Sequence, residues 1–256
     1  MSSPPAAAPQ GFFYHLPTYF STLEGGTDFF DGLEIGCRYG SYLPLTTSQH
    51  QLLGEVRASA ADVWGLLAIP ATLIEAVKWG GELGRFIEVA GSDCSKIEEA
   101  TRGLFLQSSN LVYSSTKMLS TFQNKRWIDL RSATPWVGGG NCVASLAGDL
   151  VDLYDQITRI GEIEQTKRRE GVNLAEAGER EWLAIVKIVK DCASIILSAI
   201  LLGALIFDIV IESVALLPPL LLGLSTIFLV SKLYGYFYER MLDDAKNADP
   251  HLLGAV

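Results

Sequence analysis

CASIILSAILLGALIF, Cys192 to Phe207, and SVALLPPLLLGLSTIFLV, Ser213 to Val230, decide how this chain must fold. Asp208 and Glu212 lie between the two lobes, and Pro218 and Pro219 stand near the start of the second. A bilayer core of about 30 Å takes roughly 20 helical residues at about 1.5 Å each. The first lobe reaches that length when it is extended back to Leu183 or forward to Leu217. The second runs from about Leu216 to Tyr236 with Lys232 as its one charge. Only a helix satisfies its own backbone in lipid, so each lobe is expected to be helical. The result is a two-helix transmembrane hairpin.

Two placements of the turn are open. In the first, Asp208 to Ser213 is a polar turn. In the second, the first helix runs on to about Leu216 and the prolines turn the chain. The first is favoured, because the second buries Asp208 in hydrocarbon, at a cost of about 3 kcal/mol or more. Pro218 and Pro219 lack backbone donors and suit a turn or the first turn of the second helix. Read functionally, Asp208 and Glu212 would form a proton or ion site. Read structurally, they are a solvated hairpin tip, and one acidic pair makes no pathway.

The flanks set the orientation. Lys187 and Lys190 precede the first lobe, with Lys167, Arg168 and Arg169 upstream, and Lys232 and Arg240 follow the second. Positive residues favour the cytosolic side, so both termini are expected there. Lys167, Arg168, Arg169, Lys187, Lys190 and Lys232 are the candidate headgroup contacts. Trp182 before the first lobe and Tyr234, Tyr236, Phe237 and Tyr238 after the second match an interfacial aromatic belt.

Outward from the hairpin, the chain reads as all-α. Residues 1–47 are rich in Gly, Pro and aromatics without a sustained period, and suggest short helical turns docked on later helices or on lipid. Residues 48–180 read as a cytosolic bundle of about four helices. Pro70 ends the first of these, and a second runs from Ala71 to Val89. Residues 181–241 form the hairpin, and 242–256 a short tail. In the last bundle helix Gly140, Ala144 and Gly148 recur every four residues, a spacing that lets two helix backbones approach within the chain or in a dimer. Asp149, Asp152 and Asp155 lack the alternating acids and glycine bend of a calcium loop and read as a solvated helix face.

The 256 residues carry a net charge of −9, which argues against a nucleic-acid partner. Cys37, Cys94, Cys142 and Cys192 are far apart and make no CxxC, so they read as buried thiols. The start, MSSPPAAAPQ, has neither the basic nor the apolar region of a Sec signal. No nucleophile, P-loop, zinc or dinucleotide motif is present. Val137 to Asn141 is a Gly-rich helix start with no adjacent Lys and no preceding strand, and no cofactor is expected.

The bilobed apolar segment with its tight polar turn, behind a Ser/Pro-rich start, resembles the inclusion membrane proteins of chlamydiae. That resemblance implies a hairpin anchor, termini in the host cytosol, secretion by a type III system and recruitment of host proteins. The long region ahead of the hairpin departs from the many members that place it early. A helical region followed by a C-terminal hairpin also loosely resembles membrane-shaping proteins that elongate peroxisomes. The expected function is a non-enzymatic integral membrane protein that anchors a helical interaction or membrane-shaping module. Its partners would be the bilayer and a protein or second copy met through the bundle. The alternative is an oligomeric small-solute or ion transporter or channel subunit using Asp208 and Glu212.

Overall fold

The computed structural model describes residues 15–90, 94–168, 174–211 and 214–248. All regular structure among them is helical: α1 Leu16–Phe20, α2 Leu23–Gly40, α3 Thr47–Val89, α4 Cys94–Asn124, α5 Thr134–Lys167, α6 Leu174–Ile206 and α7 Leu217–Ala248. A short 3-10 turn, Arg131–Ala133, leads into α5.

Two expectations change here. The aromatic N-terminal region is not a set of isolated turns, because it holds the 18-residue helix α2. Thr22 caps that helix by accepting a hydrogen bond from the Gly25 amide, which fixes where it starts. Secondly, Pro70 does not divide α3, which is one 43-residue helix. The proline ring is compatible with helical φ and removes a single donor. Leu66, whose carbonyl would have received that bond, and Pro70 both lie on the exposed side of the helix. At its start, Thr46 and Gln49 form a reciprocal capping box.

Packing follows chain order. Each long helix from α2 to α7 lies against the next, and α2 also packs on α7, which closes the circuit into a six-helix ring. The closure is chemical as well as steric. Tyr39 of α2 and Thr226 of α7 share a hydrogen bond of 3.0 Å, and Lys232 of α7 donates to Asp28 of α2 at 2.9 Å. Small residues permit the close crossings. A side chain at Gly65 of α3 would place its first carbon 2.6 Å from the Thr121 hydroxyl of α4. The hairpin helices continue the same packing, with α5 antiparallel along α6 and α6 along α7.

Three helices, not two, are long and apolar enough to cross a membrane: α3, α6 and Leu217–Asp244 of α7. Helices α3 and α6 bury mainly small residues and expose many large apolar ones, whereas α7 buries Leu221, Leu222, Leu229 and Phe237. In α6, Ala184, Ala193, Ser194, Ser198 and Ala204 are buried, while Ile185, Val189, Ile196 and Leu205 are exposed. In α3, Ala60, Gly65, Ala68 and Thr72 are buried, while Leu66, Leu73 and Val77 are exposed. A water-soluble bundle sorts its residues the opposite way.

Candidate functional site

The anticipated site residues fall in three places. Asp208 follows the end of α6 at Ile206, exposed and with φ of 51° in the left-handed region. Pro218 and Pro219 occupy the first turn of α7, where their missing donors would have had no helical partner. The chain thus turns between 207 and 216, with Asp208 outside both helices. Glu212 and Arg169 lie outside the described residues.

Gly140, Ala144 and Gly148 face into the chain. Ala144 and Gly148 are buried, Gly140 approaches Thr116 of α4, and Gly148 approaches Ser109 and Leu106. Within the chain this face packs on α4.

The basic residues are mostly engaged within the chain. Lys167 pairs with Glu181 across α5 and α6. Lys187 pairs with Glu239 at 3.2 Å, and Lys190 with the buried carboxylate of Asp191 at 2.9 Å. Arg168 is exposed at the end of α5. Lys232 corrects an expectation, since it points into the ring and meets Asp28 and Glu24 instead of lying on the outer rim. The aromatic belt divides. Trp182 and Tyr234 are exposed and share a hydrogen bond of 3.3 Å, whereas Phe237 is fully buried and packs with Tyr236 against Tyr19. Cys192 is exposed on α6, contrary to the buried-thiol reading, while Cys37 is buried.

What the sequence did not reveal is a partly open cavity of about 540 Å³ with walls from all six long helices and exposed residues such as Glu24 and Lys78 in its lining. Asp149 and Asp152, read from spacing as a solvated face, line it. Asp149 accepts hydrogen bonds from Ser194 of α6 at 2.6 Å and from Ser145 at 3.0 Å. Asp155, one turn beyond Asp152, pairs with Arg102 of α4 instead. Across the cavity the Lys117 ammonium lies between the Trp64 and Tyr113 rings, 3.9 and 4.1 Å from their centroids.

This interior penalises charge. Burial holds the carboxyl of Asp31 up at about 6 and the ammonium of Lys117 down at about 8. Burial also raises Asp149 and Asp152 above the usual carboxylate range. An acid whose pKa is raised on folding stabilises the fold only while protonated, below the unfolded value of 3.8, and loses that contribution as pH passes about 6. Asp31→Asn should therefore stabilise the protein by about 1–2 kcal/mol at pH 8 and by almost nothing at pH 4. Thermal unfolding at the two pH values measures the difference; an equal effect at both would contradict the burial argument.

Comparison with known proteins returns no relative: no family matches the chain, and no curated protein or solved structure is significantly similar to it.

Proposed function

We propose that this chain is a non-enzymatic integral membrane protein whose apolar helices anchor a helical interaction or membrane-shaping module. The observation that carries the reading is the inverted sorting of residues. Ile185, Val189 and Ile196 on α6 and Leu66, Leu73 and Val77 on α3 are exposed, while Ala, Gly, Ser and even Asp191 are buried on these two helices; α7 adds exposed Leu220, Ile227 and Val230. Exposed apolar area on this scale needs lipid or another apolar partner. Small inward residues are what close helix packing in a bilayer uses, where burying large side chains gains nothing over lipid.

We take α6 and α7 as the crossing pair, because the connection at Asp208 is the polar break a hairpin tip requires. Parity supplies the test. Two crossings put both termini on one side, whereas three, with α3 included, put them on opposite sides. Epitope tags at the two ends of the full chain, probed by protease on sealed vesicles, should both be digested from the cytosolic face. Protection of one tag only would sink the two-span topology. The alternative of a conduit using Asp208 and Glu212 separates on a different variant. Asp208→Asn with Glu212→Gln leaves an anchor unaffected and abolishes flux through a conduit.

A further inference from the structure

Helix α5 leaves one side open to its surroundings, and that side carries no charge. From Pro135 to Ile157 its exposed residues are Pro135, Trp136, Val143, Leu150, Tyr154 and Ile157. The last five are each more than half exposed. Charge reaches the exposed side only beyond this stripe, at Arg131 before it and at Arg159, Glu162 and Glu164 after it. At about 1.5 Å per residue the stripe is roughly 33 Å long, against a hydrocarbon core of about 30 Å.

Its depth follows from α6. Gly139 meets Leu205 near the end of α6, Ser198 donates to Ser145 at 3.1 Å, and Ser194 donates to Asp149 at 2.6 Å. The two helices thus run antiparallel in step, and the stripe stands level with the exposed Ile185, Val189 and Ile196 of α6. The outer faces also join. Trp136, Gly139 and Val143 of α5 line, with Leu202, Leu205 and Ile206 of α6, an apolar groove of about 470 Å³. The apolar surface therefore passes from one helix to the other without a polar seam.

Composition does not mark α5, because Asp149, Asp152 and Asp155 lower its mean hydropathy. These acids are turned away from the stripe: Asp149 and Asp152 line the cavity, and Asp155 pairs with Arg102 of α4. Acids at membrane depth take such inward, paired or cavity-lining positions.

We propose that the outer face of α5, from Trp136 to Ile157, is a lipid-contact surface, covered by acyl chains continuously with α6. The proposal rests on the reading of α6 as a membrane-crossing helix. It extends the lipid boundary to a helix that its average composition conceals.

Photolabelling of the full wild-type chain in phosphatidylcholine vesicles tests this, with a diazirine carried on the acyl chain of a tracer phosphatidylcholine and adducts mapped to residues by mass spectrometry. Adducts on Val143, Leu150 and Ile157 should reach a density within about twofold of those on Ile185, Val189 and Ile196, and at least about 10-fold above Glu162 and Glu164. Labelled α6 with α5 at the background of Glu162 and Glu164 would overturn the proposal and leave the crossing of α6 standing. That is the outcome expected if water or a second copy of the chain covers the stripe. Background labelling on both helices would overturn the crossing of α6 and this proposal with it.

Discussion

Replacing Lys232 by alanine is expected to cost about 3–5 kcal/mol, because it strands a buried carboxylate. Asp28 is 3% exposed, accepts from the Tyr19 hydroxyl, and has the Lys232 ammonium 2.9 Å away as its cationic partner. Glu24, the second carboxylate on Lys232 at 3.2 Å, is exposed and loses little. Without the ammonium, Asp28 must hold a charge with one phenolic donor or take up a proton. Either outcome weakens the seam where α2 meets α7 and the ring closes. The thermal midpoint of the purified protein should fall by about 10 °C. Adding Asp28→Asn to Lys232→Ala should restore more than half of the loss, since the penalty belongs to the unpaired charge and not to the missing lysine. A fall under about 1 kcal/mol in the single variant would show that the pair is not buried in this way.

The second large effect sits next to the same seam. Gly25 is buried where α1 turns into α2, and a side chain there would overlap the backbone carbonyl of Tyr19. Its φ is not in the left-handed region, so the demand is one of space and not of backbone conformation. A flexible side chain across the gap would yield, but a carbonyl held in the α1 corner cannot. Gly25→Ala is expected to destabilise by about 3 kcal/mol, the upper end for overpacking. The shift would move Tyr19 away from Asp28, Tyr236 and Phe237. The effects of Gly25→Ala and Lys232→Ala should therefore sum to more than the double variant loses. Equilibrium unfolding of the two single variants and the double measures this, and strict additivity would place the two residues in independent regions.

The apolar lobes were legible because insertion into lipid is set by composition over one helix length, a local property. The polar break at Asp208 and the prolines inside the start of α7 were legible for the same reason. Helix α2 was hidden because Gly25, Gly26, Gly32, Gly36 and Gly40 break any apolar period. Its helicity rests on the Thr22 cap and on packing against α3 and α7. Pro70 read as a stop because a proline's local preference was weighed without knowing that its side of α3 is exposed.

The cavity was invisible for a different reason: its walls come from six helices, and no stretch of sequence contains it. One signal did exist. Gly140, Ala144 and Gly148 mark the inward face of α5, and Ser145 and Asp149 each follow one of them directly. Acids beside a small-residue stripe sit at the edge of a buried contact, which is where Asp149 meets Ser194. Likewise Lys232 was assigned to the headgroups from its place at the end of an apolar run. Asp28, more than two hundred residues away in sequence, draws it inside.

All of this rests on lipid covering the outward apolar faces of α6 and α7. Alkaline carbonate extraction of membranes from cells expressing the full chain is the direct measurement. The protein should remain in the pellet and come into solution only with detergent. Recovery in the supernatant as a monomer, stable without detergent, would mean that Ile185, Ile196, Ile227 and Val230 tolerate water, and the membrane assignment would be wrong.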